Sequence, residues 1–187
     1  MPELVCELIV TLDGFAGSQR SPGYFGYFGP DFEHWVNTNG AVPHQMLIGR
    51  KSYELFAAMP AEVRDEGTER LTKQPGFLFS RMVKTTDWSG LTIVHDDMVG
   101  FVRDLKQKDG DELRTLGSIS LVQQLLVAGL VDRLKLVVCP LILPQTGTEP
   151  YFKGLPDMGF DLVSSEVLDG RVLLLEYHPA GAPPYRD

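Results

Sequence analysis

The stretch QMLIGRKSYELFAA, residues 45–58, decides the fold of this chain. Its first four residues form a short apolar run typical of a buried strand, and Gly49 ends that run. Residues 52–58 then predict a short helix. A strand that passes through a glycine directly into a helix indicates a parallel sheet with helical connections.

The same alternation of strand and helix continues on both sides of this stretch. Two apolar runs near the end of the chain meet across Asp169-Gly170, which predicts an antiparallel hairpin. We therefore expect an α/β fold with a mostly parallel mixed sheet, helices on both faces and an antiparallel C-terminal hairpin. We expect one domain over residues 1–179 and a disordered tail over residues 180–187. Strands are predicted at residues 4–12, 45–48, 76–79, 91–94, 113–116, 133–143, 160–168 and 171–177, and helices at 30–37, 52–58, 62–73, 97–108 and from Ser118 to Gly129.

The composition limits the classes of partner. The chain has 17 Lys and Arg against 25 Asp and Glu, a formal net charge of −8, which argues against nucleic acid or an anionic membrane because both need a basic face. No apolar run approaches the ~18 residues of a membrane span, and the first residues lack signal-peptide features, so we expect a cytoplasmic location. Cys6 and Cys139 lie in apolar runs and are predicted to be buried thiols. Neither they nor the four histidines have metal-ligand spacing, so no metal site is expected.

Three predicted strand ends carry groups that bind anions. Ligands in such sheets bind beyond the carboxyl ends of the parallel strands, where helix starts offer backbone N–H groups and arginine offers a planar fork for phosphate. Each segment alone is also explained by a turn glycine or a solvated charge. Three of them in a protein with net charge −8 predict a site for an anionic dinucleotide. The segments are Gly49-Arg50-Lys51-Ser52, Ser80-Arg81 and Gly117-Ser118-Ile119-Ser120.

The order and spacing of these segments resemble the dihydrofolate reductase-like superfamily, in particular the C-terminal reductase domain of the bifunctional riboflavin-biosynthesis deaminase/reductase. Residues 11–14, 129–134 and 140–143 contribute to the resemblance, which covers roughly residues 4–178 and is most specific at residues 49–54. It implies a three-layer fold, a hydride-transfer site and NADPH as the cofactor. It also implies that NADPH is bound by the ten residues of the three segments: Gly49, Arg50, Lys51, Ser52, Ser80, Arg81, Gly117, Ser118, Ile119 and Ser120.

The chain departs from the family at two loops. The family usually has two adjacent glycines where this chain has Gly117-Ser118. A Cβ at Ser118 restricts the approach of a pyrophosphate, whereas its hydroxyl is able to cap the following helix. The family also tends to have a Gly-x-Gly turn after the long strand, and residues 144–147 retain the second of these glycines.

Candidate catalytic and substrate-binding residues lie outside the three segments or on the helix that follows the first. Asp13, at the end of the first strand, is predicted to hold the substrate or a proton-delivering water, with an ordinary Asp-Gly turn as the alternative. Tyr24 and Phe28 belong to a glycine-rich aromatic stretch that predicts a lid over a flat ring, or a surface loop. The other substrate candidates are Asp31, which alternatively is an acid favourable at a helix start, and Tyr53 and Phe56, which alternatively pack in the core.

The sequence thus predicts an NADPH-dependent reductase of a small heterocyclic metabolite, of the pterin or riboflavin-precursor kind. The cations predict a preference for NADPH over NADH, and Arg50→Ala is expected to weaken NADPH binding about tenfold. The deaminase motifs His-x-Glu and Pro-Cys-x-x-Cys are absent, as is the Leu-Pro-Trp segment of folate reductases. A non-catalytic, nucleotide-binding and dimer-forming protein of the same fold is the alternative. A homodimer is predicted because residues 134–138 and the closing hairpin would otherwise form an exposed edge.

Overall fold

The computed structural model describes residues 1–20, 25–60, 62, 64 and 66–185. The chain divides into two compact units, one of Met1–Leu4 with Pro43–Leu130 and one of Val5–Val42 with Val131–Asp187. In chain order the strands are β1 (Leu4–Thr11), β2 (Phe15–Ser18), β3 (His44–Gly49), β4 (Gly76–Phe79), β5 (Leu91–Val94), β6 (Glu112–Thr115), β7 (Arg133–Cys139), β8 (Gly147–Pro150), β9 (Gly159–Leu168) and β10 (Val172–Gly181). The helices are α1 (Pro30–Gly40), α2 (Arg50–Ala57), α3 (Glu66–Lys73), α4 (Met98–Lys106) and α5 (Ile119–Val127).

The first unit contains four parallel strands in the order β5-β4-β3-β6. Leu47 of β3 lies between Phe77 of β4 and Thr115 of β6. Residues 46–48 are fully buried because apolar side chains cover both faces of a strand with helical connections. Tyr53 and Phe56 of α2 pack against the resulting core cluster. Because the strands are parallel, their carboxyl ends lie along one edge.

The second unit contains the strands β1-β7-β10-β9 in that order. β1 and β7 are parallel, whereas β10 runs antiparallel to both β7 and β9. Helix α1 buries Phe32 against Val137, Leu168 and Val172. β2 and β8 form a separate two-stranded antiparallel sheet. Together the two units confirm the predicted α/β class, with mostly parallel strands and a C-terminal antiparallel hairpin.

The position of the edge and the ends of two strands differ from the expectations drawn from the sequence. The strand that contains residues 134–138 is not an edge, because β7 pairs with β1 on one side and β10 on the other, and β9 stands last in the order. β7 ends at Cys139, since Pro140 cannot donate to a strand ladder. β10 continues through Gly181, two residues into the predicted tail, and the Tyr185 hydroxyl donates to Asp157 at 3.0 Å.

Among the described residues, no helix is long and apolar enough to span a bilayer.

Candidate functional site

The three predicted cofactor-binding segments come together along the carboxyl edge of the first unit's sheet. The strands β4, β3 and β6 are consecutive in the sheet, and each leads into one segment. Gly117–Ser120 follows β6, Gly49–Ser52 spans the end of β3, and Ser80-Arg81 follows β4. This edge is the position at which open parallel sheets bind their ligands.

The Ser118 hydroxyl joins two of these segments. Its Oγ accepts a hydrogen bond from the backbone N–H of Gly49 at 2.6 Å and donates to the Ser52 Oγ at 3.0 Å. A Cβ built on Gly49 would lie 2.9 Å from that Oγ, so this close approach requires glycine. Gly117 and Ser118 both have a positive φ, +57° and +67°, which is uncommon for serine. The starts of α2 and α5 are therefore held together by one side chain, on a residue whose backbone is in the left-handed region.

Of the two alternatives that the sequence leaves open for Ser118, the cap on its own helix is not formed. Ser118 is the N-cap residue of α5, but its side chain bonds to the start of α2 and makes no cap contact with its own helix. Among the described residues no side chain caps α2 either. In contrast, Asp97 accepts from the Gly100 N–H and caps α4. The helices that begin at two of the predicted phosphate segments therefore have no side-chain cap, and uncapped helix N-termini are suited to anions.

The cations at this edge differ in availability. Arg50 forms a pair with Glu54, one turn along α2, at 2.8 and 3.0 Å. Arg81 is exposed, and within the described part of the chain its guanidinium has no ion-pair partner. Ser80 is buried, and its Oγ accepts from the N–H groups of Met82 and Val83, which shapes the turn that presents Arg81. The Arg81 guanidinium is therefore more available to an external anion than that of Arg50, which already pairs with Glu54.

These residues fit the phosphates of a dinucleotide. The glycine at position 49 allows the two segments to approach, the starts of α2 and α5 lack side-chain caps, and Arg81 adds a positive charge. Their donors are the kind that bind phosphate, namely backbone N–H groups, hydroxyls and guanidinium. NADPH carries a pyrophosphate and a 2′-phosphate, so the donor set suits it.

Asp13 lies in the second unit and is held by two hydrogen bonds. Its Oδ1 accepts from the Thr11 hydroxyl at 2.6 Å and its Oδ2 from the Leu143 N–H at 2.8 Å. Desolvation opposes ionisation, but the bonds from Thr11 and Leu143 outweigh it and lower the pKa of Asp13 below its usual value. Gly14, with φ +79°, completes the Asp-Gly turn. An ionised Asp13 suits the orientation of substrate or water and does not favour direct proton donation.

The structure describes four of the five substrate candidates, and Tyr24 lies outside the described residues. Phe28 is partly exposed and packs edge-on against Phe32, with the ring centroids 4.8 Å apart. Asp31 bonds to the turn between β9 and β10. Tyr53 packs edge-on against Trp88 at 5.3 Å, and Phe56 belongs to the same core. The contacts of Tyr53 and Phe56 agree with the alternative that they pack in the core, and the substrate roles of all five residues stay predictions.

His95 is a residue that the sequence analysis left without a role. It follows β5 directly, and its Nδ1 lies 2.9 Å from the carbonyl oxygen of Ser80, at the end of β4. The strand-end rule that identified Arg81 also applies to His95, because both residues follow apolar strands of one parallel sheet. In the described ranges no group of three His, Cys, Asp or Glu could hold a metal ion.

A family model and a relative of known sequence both match most of the chain. A family model described as the RibD C-terminal domain matches residues 2–174. The uncharacterized protein YyaP of Bacillus subtilis (strain 168) is 24% identical over 182 residues, which cover 94% of each protein.

Solved structures share the fold at low identity. A putative riboflavin biosynthesis protein from Shewanella sp. PV-4 has a TM-score of 0.70 at 19% identity, covering 95% of this chain and 98% of that one. A pyrimidine reductase-like protein from Corynebacterium diphtheriae has a TM-score of 0.65 at 14% identity, covering 100% and 93%. A diaminohydroxyphosphoribosylaminopyrimidine deaminase/5-amino-6-(5-phosphoribosylamino)uracil reductase from Thermotoga maritima has a TM-score of 0.67 at 14% identity, and this chain spans 57% of it. These likenesses confirm the predicted fold, and the family model confirms the predicted resemblance.

Proposed function

The chain belongs to the RibD C-terminal domain family, and from this we propose that it is an NADPH-dependent reductase acting on a small, flat heterocycle related to pterins or riboflavin precursors. The family supports a reductase-type role. The observation that carries the cofactor assignment is the Ser118 bridge between the starts of α2 and α5 at the sheet edge. Two uncapped helix starts that converge on one point are suited to the pyrophosphate of a dinucleotide.

When bound, NADPH supplies the hydride. In this proposal the N-terminal turns of α2 and α5 bind its pyrophosphate, with the Ser52 hydroxyl as a further donor. Arg81 binds the 2′-phosphate, and Arg50 and Lys51 add positive charge nearby. A guanidinium without an ion-pair partner among the described residues binds phosphate at lower cost than one that is already paired. This distribution favours NADPH over NADH.

Asp13 of the second unit is proposed to orient the substrate or a proton-delivering water. Its carboxylate is fixed by Thr11 and Leu143 and is ionised at neutral pH. An ionised carboxylate accepts hydrogen bonds from ring N–H or amino groups, which nitrogen heterocycles offer. The proton itself then comes from water or from another proton donor beside the substrate.

The substrate class follows the names of the structural relatives. The Shewanella protein is described as a riboflavin biosynthesis protein, and the Thermotoga protein as a phosphoribosylaminouracil reductase. The 187 residues lack both deaminase motifs, so we propose that they carry out a reduction and not a deamination. We also propose a cytoplasmic location.

The test is NADPH oxidation, followed by absorbance at the nicotinamide band, across a panel of pterins, flavin precursors and quinones. Oxidation that depends on one member of the panel supports the proposal. Binding of NADPH without oxidation by any member would favour the alternative of a non-catalytic nucleotide-binding protein. Equal affinities for NADPH and NADH would contradict the 2′-phosphate assignment.

We also propose a homodimer, with the hairpin of β9 and β10 in the interface. Val167 and Leu173 lie directly opposite each other in this hairpin and are 57% and 38% exposed. β9 stands last in the strand order of its unit. An exposed terminal strand with apolar side chains favours pairing with a second copy.

A further inference from the structure

A cavity of about 230 Å³ lies in the first unit, beside helices α2 and α3. Part of its wall comes from the residues just before β5, which lie at the amino end of a parallel strand. The predicted phosphate segments follow the carboxyl ends of these strands, so the cavity lies outside the proposed cofactor site. The side chains that give its wall aromatic or charged character are those of Tyr53, Arg64, Glu69, Asp87 and Trp88.

Trp88 provides this cavity with a donor that lacks a partner. The residue is 6% exposed, and among the described residues nothing accepts a hydrogen bond from its indole N–H. The indole nitrogen is nevertheless not one of the unpaired atoms that are sealed from solvent. Because Trp88 lines the cavity, its accessible nitrogen faces that space. A buried indole N–H usually has an acceptor, so this one indicates an acceptor from outside the protein.

Arg64 adds a fixed positive charge to the wall. Its Nε donates to the Met59 carbonyl at 2.9 Å and its Nη2 to the Ala57 carbonyl at 3.1 Å, at the end of α2. Within the described part of the chain, Nη1 has no hydrogen-bond partner. Carbonyls are neutral, so the charge of the guanidinium is not compensated by these bonds. A guanidinium held in this way is suited to a carboxylate.

Two carboxylates lie at the opening of the cavity. Glu69 and Asp87 are exposed and line it, and over the described ranges neither carboxylate has an ion-pair or hydrogen-bond partner. The wall therefore carries two negative charges together with the positive charge of Arg64. A purely anionic ligand would meet the carboxylates, and a purely cationic ligand would leave the guanidinium and the indole N–H without an acceptor. A ligand with both charges compensates all of these groups.

We propose that this cavity binds a free amino acid with an aromatic or other apolar side chain. Arg64 and the Trp88 N–H bind its carboxylate, and Glu69 and Asp87 bind its ammonium group. The ring of Tyr53, whose centroid lies 5.3 Å from that of Trp88 at an interplanar angle of 68°, packs against its side chain. The cavity is smaller than the roughly 300–1,000 Å³ of pockets for drug-sized ligands, which agrees with a ligand of this size. This site does not depend on the proposed reductase activity.

The experiment follows the indole N–H signal of Trp88 by nitrogen–proton NMR of the full chain. The chain has two tryptophans, and Trp35 lies in the second unit, where it serves as the internal control. Trp88→Phe identifies which of the two signals belongs to Trp88. The first probe is L-phenylalanine. Its matched comparisons are phenylpropionate, which lacks the ammonium group, phenethylamine, which lacks the carboxylate, and cytosine, a neutral ring with amino and carbonyl groups.

L-phenylalanine should shift the Trp88 signal and leave the Trp35 signal in place. Phenylpropionate and phenethylamine should each bind about tenfold more weakly or worse, the size of one charge-assisted hydrogen bond. Glu69→Gln and Asp87→Asn should each weaken binding of L-phenylalanine several-fold and leave phenylpropionate binding no weaker. Asp104→Asn removes an exposed carboxylate from α4 and is the matched control, with wild-type affinity expected. Thermal unfolding of each variant checks that it is folded.

A Trp88 signal that L-phenylalanine does not move would overturn this inference. Binding of phenethylamine, phenylpropionate or cytosine as tightly as L-phenylalanine would overturn it too, because the ligand would then not need both charges. Either result would leave the proposed function intact, since NADPH titration tests a different edge of the sheet. Conversely, a wild type that binds L-phenylalanine but neither dinucleotide would support this site and contradict the proposed function alone.

Discussion

The carboxylates of Asp31 and Asp169 each accept a hydrogen bond from the other residue's backbone N–H, at 2.9 Å in both directions. Asp169 also accepts from the Phe32 N–H at 3.1 Å. Helix α1 begins after Gly29, which has no side chain to cap it, so the hairpin turn between β9 and β10 supplies the cap. A Cβ on Gly29 would lie 2.4 Å from the Asp169 carboxyl carbon, which explains the glycine.

Asp169→Ala should destabilise the protein by about 1–2 kcal/mol, because two N–H groups of α1 lose their acceptor. Part of that loss is backbone strain, since Asp169 has a φ of +51°. Asp169→Asn tolerates this conformation and keeps one acceptor oxygen, so it should lose less. Urea unfolding of the two variants measures the difference. Equal stability of Asp169→Ala and wild type would show that the cap contributes nothing.

Arg81→Ala should weaken NADPH binding about tenfold or more and leave NADH binding nearly unchanged. Arg50→Ala should weaken NADPH binding by less than the sequence predicts, because the Arg50 guanidinium already pairs with Glu54. Arg103→Ala, an exposed arginine near the end of α4, is the control for a simple loss of charge. Titration with both dinucleotides ranks the three variants. A larger loss for Arg50→Ala than for Arg81→Ala would reverse the proposed roles.

Ser118→Ala should weaken NADPH binding several-fold and lower stability by about 1–2 kcal/mol, because the Gly49 N–H loses its acceptor. Ser118→Gly loses the same bond but relieves the left-handed backbone. It should therefore be more stable than Ser118→Ala. Thermal unfolding and NADPH titration give the two readouts. If Ser118→Gly binds NADPH more tightly than wild type, the side chain obstructs the pyrophosphate and does not organise its site.

The sequence identifies the strand ends because the signals there are local. An apolar run, a glycine and a polar helix start lie within about ten residues, as at residues 45–58, and the parallel topology then places the ends on one edge. The β2 and β8 strands gave no such signal. Each strand has four residues. β2 contains Gly17, and β8 begins at Gly147 and ends at Pro150, residue types that are depleted in strands. Neither segment is therefore recognisable as a strand without its partner.

Contacts between distant segments could not be predicted. Asp31 and Asp169 are 138 residues apart, and nothing near either residue indicates the other. The Ser118 bridge to Gly49 spans 69 residues, and nothing near Ser118 in the sequence indicates it. The prediction that residues 134–138 lie at an edge is wrong for the same reason, whereas the predicted hairpin does provide the last strand. An apolar run does not reveal how many neighbours its strand will have.

Val167→Glu should convert the proposed dimer to a monomer, because it places a charge on the exposed hairpin beside Leu173. Val127→Glu is the matched control, since Val127 is also an exposed apolar residue but lies on α5. Light scattering at micromolar concentration should give about twice the 20.8 kDa chain mass for wild type and the control. A wild-type mass of one chain would contradict the dimer itself.

Asp13→Asn should lower turnover more than NADPH affinity, because the proposed phosphate contacts lie at the strand ends of the first unit. The amide keeps one acceptor oxygen for the Leu143 N–H but no longer carries a negative charge. Thr11→Val is the control, since it removes the bond to Oδ1 and leaves the carboxylate in place. Turnover with the substrate found in the panel, and NADPH titration, separate the two effects. Equal losses of turnover in both variants would indicate that Asp13 acts through the shape of its turn.

The pH dependence provides a second test of Asp13. Its folded-state pKa is lowered, so the stability that its ionised form contributes is present above the unfolded value of about 4 and is lost as the pH falls through the folded value. Urea unfolding should therefore show a constant difference between wild type and Asp13→Asn from pH 5 to 8, and a smaller one below about pH 4. For the same reason turnover between pH 5 and 8 should show no titration of Asp13. An inflection near pH 6 that disappears in Asp13→Asn would mean that the carboxyl gains a proton during the reaction and is itself the acid.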